Sequence, residues 1–286
     1  MAKFDTSKNV AQATIVDPVK VNDFPFEAYL EYEGELTKRC EAFMKAKSGA
    51  LVYRRMRVAE VFSYGCSDMK QSLEWQLGAL KKSIEFKADV PNFLEPWYGI
   101  GVLACSFGID YIWNVLAELE IEFYKAQEKL IGNCLVKPGH GFASSRVFEG
   151  FGMSDDNVVM IDEPSYLDFV APSFEKLGMA FGGPVHHSCG NFSDKAKMLL
   201  KLKGLKMADA AFTPETDPHP NPAEPFVSAL SNSGIVLNAR MVGNQEVVKE
   251  TTGKLWKPGM KLLVVTFSQS PEEQNEAFNI VHEICK

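Results

Sequence analysis

The sequence predicts an α/β fold, a (β/α)8 TIM-like barrel with an N-terminal helical extension. Three observations carry that expectation. In the second half, short apolar runs alternate with helical patterns at a spacing of about 25 residues, as βαβ units on a parallel sheet require. Strand candidates over the whole chain number roughly eight, enough to close a barrel. A glycine-rich first turn of the GxGxxG type, which a doubly wound open sheet normally carries, is missing, so that open sheet is the alternative.

Taken in order, residues 1 to about 24 lack periodicity and read as an irregular arm. Phe26, Leu30, Leu36, Cys40, Phe43 and Met44 then fall on one helical face, predicting a helix from Phe26 to about Lys47. Ser67 can cap a second helix that starts near Asp68 and runs through Met69, Leu73, Leu77, Leu80 and Ile84. Weak strand candidates lie at Ala50–Tyr53, Asp89–Leu94 and Asn133–Lys137. Stronger ones follow at Val158–Ile161, Pro184–His186, Ala208–Phe212, Gly234–Asn238 and Lys261–Phe267. Between these, helical patterns occupy Tyr166–Ala180, Ser193–Leu202, Pro222–Ser231, Gln245–Leu255 and Pro271–Ile284. No Gly/Ser linker divides the chain, which therefore reads as a single domain over 1–286, with 1–85 as the arm and helical region.

Composition narrows the function classes. With 46% hydrophobic and 23% charged residues, the chain suits a soluble globular protein and not a disordered one. The formal net charge of -7 and scattered basic residues, apart from Arg54, Arg55 and Arg57, exclude a continuous positive face for nucleic acid. No apolar run approaches the ~20 residues of a membrane helix, and the polar MAKFDTSKNVAQ start lacks a signal-peptide core. Six dispersed cysteines do not form a disulfide framework, and a reducing, cytoplasmic setting is expected.

In a βα barrel, catalytic groups come from loops just past the strands' carboxyl ends. Those positions hold Glu95, His140, Asp162, Glu163, His187, Cys189, Thr213, Glu215, Arg240 and Ser268. Asp162 or Glu163, standing ahead of a helix, serves equally well as an N-cap. In the proline-rich TPETDPHPNP loop, His219 reads as a solvated histidine. The segment His186-His187-Ser188-Cys189-Gly190-Asn191 differs, because it sets an imidazole and a thiol two residues apart at a strand exit. Strand alternation puts His187 and Cys189 on one side and His186 on the other. Such a soft N/S pair can grip Zn²⁺. On spacing alone, the plainer reading of a packed cysteine and a hydrogen-bonded histidine is favoured.

The wider context adds a resemblance. DEPSYLDFVAPSFEKLGMAFGGPVHHSCGN resembles the stretch of the uroporphyrinogen decarboxylase-like superfamily that leads into "HxCGN", and SPEEQNEAFNIVHEIC resembles its closing helix. Phe93-Leu94-Glu95-Pro96-Trp97-Tyr98-Gly99 and Cys105-Ser106-Phe107-Gly108 resemble an upstream segment, so that the likeness spans about two-thirds of the chain from Arg57 onward. That superfamily includes tetrapyrrole decarboxylases and methyltransferases working with corrinoid proteins. In the latter an HxC pair and a later cysteine bind zinc, and the resemblance maps the first two ligands onto His187 and Cys189. Where the later cysteine belongs, this chain has Val264-Val265-Thr266-Phe267-Ser268, and Cys285 is badly placed to substitute. Glu95, His140 and Glu163 are then the candidates for a third ligand.

The resemblance thus implies methyl transfer between a small donor or thiol acceptor and a corrinoid (cobalamin) protein, assisted by Zn²⁺ on His187, Cys189 and Glu163. Glu95 and Arg240 are the expected catalytic groups, and Trp97, Tyr98 and His140 the expected substrate contacts. A homodimer is a candidate assembly. Porphyrinogen decarboxylation ranks lower: no "RQAGR"-type motif is present, and a solvated helix face accounts for Arg54, Arg55 and Arg57. A non-enzymatic barrel that binds a corrinoid or another small ligand is the third reading.

Overall fold

The computed structural model describes residues 16–56, 69–94, 113–139 and 142–286. Six parallel strands form one sheet: β1 (Gly49–Arg54), β2 (Phe151–Ser154), β3 (Pro184–His187), β4 (Met207–Ala211), β5 (Val236–Arg240) and β6 (Lys261–Thr266). Their order is β1-β6-β5-β4-β3-β2, so the first strand lies against the last. Six strands, and not a closed set of eight, are formed among the described residues.

Seven helices of more than two turns accompany the sheet among the described residues: α1 (Phe26–Lys45), α2 (Met69–Ser83), α3 (Trp113–Ile131), α4 (Ala171–Met179), α5 (Ala223–Leu230), α6 (Gln245–Leu255) and α7 (Pro271–Ile284). Helices α4 to α7 bury Phe174, Leu177, Phe226, Leu230, Leu255 and Val281 in one cluster with Ala208, Leu237, Leu262 and Val264 of the sheet. The opposite sheet face, bearing Leu51, Val185, Met207, Val236 and Leu263, packs against Cys40 and Phe43 of α1 and against Phe142 and Phe148. Covered on both faces, β6 reads KLLVVT and is buried throughout, the continuous apolar pattern of a central parallel strand. Asn244 caps α6 by accepting from the Val247 N–H, and Ser270 caps α7 by accepting from the Glu273 N–H.

Four expected elements take other forms. Val158–Ile161 is not a strand. Phe151–Ser154 fills that sheet position, and Asp155 then caps a 3₁₀ turn over Asp156–Val159 by accepting from the Asn157 N–H. A short apolar run is ambiguous by periodicity alone, and here Val158 is buried while Val159 and Met160 face outward. Asp89–Leu94 follows the free edge of β1 without becoming a strand. Its Asp89 carboxylate accepts from the Val52 N–H at 2.9 Å, and the Asn92 amide nitrogen donates to the Arg54 carbonyl at 2.9 Å. Apart from the Asp89 N–H, which donates to the Val52 carbonyl, side chains thus replace the ladder's main-chain partners. In place of a strand at Asn133–Lys137 there is a 3₁₀ turn (Gly132–Cys134) and one antiparallel bridge from Lys137 to Ser145. The expected helix Ser193–Leu202 is two short 3₁₀ turns.

Arg54 is also corrected. It ends β1, is buried, and donates to the Ser268 carbonyl at 2.7 Å, so it is no part of a solvated helix face. Among the described residues no helix is long and apolar enough to cross a membrane.

Candidate metal centre

The carboxyl ends of β2 and β3 lie side by side, with Ser154 paired to His187. Beyond β2, the Asp155 N–H donates to the His187 carbonyl at 2.8 Å and the Tyr166 hydroxyl donates to the Asp155 carboxylate at 2.7 Å. These bonds fix where Asp156 emerges. Beyond β3, Ser188 is buried and Cys189 turns out to solvent. Gly190 makes the turn with φ of +76°, a left-handed conformation that glycine adopts without steric cost.

The proline-rich loop after β4 holds this turn from the other side. The Asp217 carboxylate accepts from the Gly190 N–H at 2.7 Å, and Asn221 donates to the Gly190 carbonyl at 3.0 Å while accepting from the Phe192 N–H at 2.9 Å. This positioning role was not legible in TPETDPHPNP, because it is a contact between loops 27 residues apart.

One ligand atom each from Asp156, His187 and Cys189 lies within 4.8 Å of the other two. Cys189 Sγ is 3.6 Å from His187 Nε2, and the Cys189 N–H donates to Asp156 Oδ1 at 2.8 Å. On its other side, His187 Nδ1 meets Asp209 Oδ2 at 2.6 Å. Burial alone would push the His187 imidazole down, but the Asp209 charge and hydrogen bond, with the Cys189 contact, raise it to about 9. Burial alone would lift Asp209, and Arg240 together with His187 holds it down at about 2. The Phe142 ring stands edge-on to the imidazole, 5.9 Å between centroids.

His186 points to the helix-covered face, as alternation requires. It packs among Tyr166, Phe174 and Phe192 with neither ring nitrogen hydrogen-bonded, and burial drops it to about 3.

The other site residues fall in three groups. Glu95, Trp97, Tyr98 and His140 lie outside the described residues. Glu163 does not join His187 and Cys189: Lys201 Nζ binds its carboxylate at 2.5 Å, and Asp156 takes the third corner instead. Asp162 is an N-cap, accepting from the Ser165 N–H at 2.8 Å. Arg240 does reach the site, through Asp209 at 2.8 Å and the Ser188 carbonyl at 3.1 Å. Asp156 escaped notice in the sequence because the strand was placed after it and not before it.

Fold and site together define a parallel α/β protein with a candidate N/S/O metal centre. No protein-family model and no curated protein matches the chain. Among solved structures, a methyltransferase from Methanosarcina mazei overlays 46% of this chain and 41% of its own length, at 13% identity and a TM-score of 0.35. The chain thus spans less than half the length of that structure, and an overlay of that quality carries no weight for fold or activity.

Proposed function

We propose that the chain is a metal-assisted methyltransferase, moving a methyl group between a corrinoid (cobalamin) protein and a small thiol-type molecule. The observation that supports it is the convergence of Asp156, His187 and Cys189 at the ends of two neighbouring strands. An imidazole, a thiolate and a carboxylate are a donor set that fits Zn²⁺, and catalytic zinc sites keep a further position for water or substrate. A zinc ion held there would supply the charge that keeps a small thiol ionised at neutral pH.

The chain's own residues supply the rest. Asp209 accepts the Nδ1 proton of His187 and leaves Nε2 for a ligand. Asp217 and Asn221 hold the turn that presents Cys189. The finer reading of the fold is a closed barrel. Segments 89–94 and 133–139 border the two sheet edges, through Asp89 N to the Val52 carbonyl and Gly152 N to the Pro138 carbonyl. Closure there would set the centre at the carboxyl mouth, where barrel enzymes do their chemistry.

The test is zinc content by mass spectrometry, together with methylcobalamin consumption in the presence of a small thiol, followed by absorbance. About one zinc per chain, and thiol methylation lost in His187→Ala and Cys189→Ala, would support the reading. A folded wild-type protein that takes up no added zinc overturns it.

A further inference from the structure

The register of the sheet sets three polar side chains in a row on one face. His187 pairs with Asp209, and Asp209 pairs with Asn238. Their neighbours on that face, Val185, Met207 and Val236, are apolar and buried. Asp209 is only 2% exposed, and a carboxylate in such surroundings persists only when fully paired.

Three donors converge on it. His187 Nδ1 and Arg240 Nε share Oδ2 at 2.6 and 2.8 Å, and Asn238 Nδ2 donates to Oδ1. That orientation leaves Asn238 Oδ1 buried without a partner, so Asp209 decides how the amide points. Arg240 does not stop at Asp209. Its Nη2 donates to the Ser188 carbonyl, in the residue between His187 and Cys189.

We propose that Asp209 and Arg240 are positioning residues acting as one device, which sets both the imidazole of His187 and the peptide carrying the Cys189 thiol before a metal arrives. The carboxylate fixes the Nδ1–H tautomer and aims Nε2 at Cys189 Sγ. The guanidinium ties that carboxylate to the backbone of the thiol, so the spacing of the nitrogen and sulfur ligands is preset. This rests on the metal-centre reading above.

The experiment measures Zn²⁺ affinity by chelator competition in wild type, Asp209→Asn, Arg240→Lys and the double variant. It also records ¹⁵N spectra of His187 in the metal-free proteins at a pH above about 9, where the imidazole is neutral and a tautomer is defined. Each single variant is expected to bind zinc about 10–100-fold more weakly. The double variant should be no weaker than the worse single one, because the two act together. His187 should show a single Nδ1–H tautomer in wild type and a mixture in Asp209→Asn.

A merely structural ion pair would lower the unfolding temperature while leaving the folded protein's zinc affinity and the tautomer unchanged, and that result overturns the proposal. If Asp209→Asn does not fold, Arg240→Lys keeps the charge while losing the forked contact, and decides the question alone. Failure of wild type to bind zinc sinks the metal reading instead. The tautomer in metal-free wild type and Arg240→Lys still decides whether the device exists.

Discussion

The backbone N–H of Cys189 donates to Oδ1 of Asp156 at 2.8 Å, joining two loops 33 residues apart at the ends of adjacent parallel strands. The contact brings a carboxylate to a thiol and an imidazole that the sequence had already placed together. Asp156→Asn keeps an oxygen to accept that hydrogen bond but removes the charge. It is expected to weaken zinc binding at least tenfold in calorimetric titration. Glu163→Gln, which breaks only the contact to Lys201, should leave the affinity unchanged. Equal loss in both variants would return Glu163 to the ligand set.

His187 makes the centre pH-dependent in two opposite senses. Its imidazole is raised to about 9 in the folded, metal-free protein, against 6.5 for the free side chain. A raised histidine contributes stability that is fully present below about pH 6.5 and is lost as pH climbs through about 9. Zinc uptake must displace that proton, so the His187 contribution to affinity should rise with pH, by up to about tenfold per unit, and level off near 9. The proton that the Cys189 thiol releases adds to this dependence. Denaturant midpoints of the metal-free protein at pH 6, 7.5 and 9 check the first statement. The slope should be flatter in His187→Gln, and an unchanged slope would remove His187 as its source.

The neighbouring His186 is the opposite case. It is fully buried, its two ring nitrogens have no partners, and burial keeps it neutral. Replacing it by leucine, of nearly equal volume, removes the orphaned polar atoms. The change should stabilise the protein by about 1 kcal/mol, read as a higher unfolding temperature, without altering zinc affinity. A net loss of stability would mean that the ring makes a polar contact important to the fold.

Gly178 in α4 faces the start of β3 so closely that a Cβ would lie 2.4 Å from the Pro184 Cα and N. Backbone, unlike a flexible side chain, cannot yield cheaply. Gly178→Ala should cost about 1–3 kcal/mol, lowering the unfolding temperature by roughly 5 °C. A wild-type melting curve would show that the helix can shift away from β3.

The second half of the chain was largely legible because its signals are local. Helices Gln245–Leu255 and Pro271–Ile284 fall where their apolar period places them, and the structure adds Asn244 and Ser270 as their caps. Strands β3 to β6 lie within about two residues of their apolar runs, since bounded buried runs allow few alternatives. The first half misled where side chains do the work of backbone. Asp89 and Asn92 hold an edge that looks like a strand in composition yet forms none.

By itself, then, the sequence determined the alternating parallel architecture and the pairing of His187 with Cys189 on one side of a strand end, because both follow from short-range periodicity. Only the tertiary structure decided that Asp156 completes the cluster and that Asp209, Arg240, Asp217 and Asn221 hold it. Those choices depend on register between strands and on contacts between loops, which bring together residues 22 to 52 positions apart and leave no local pattern to read.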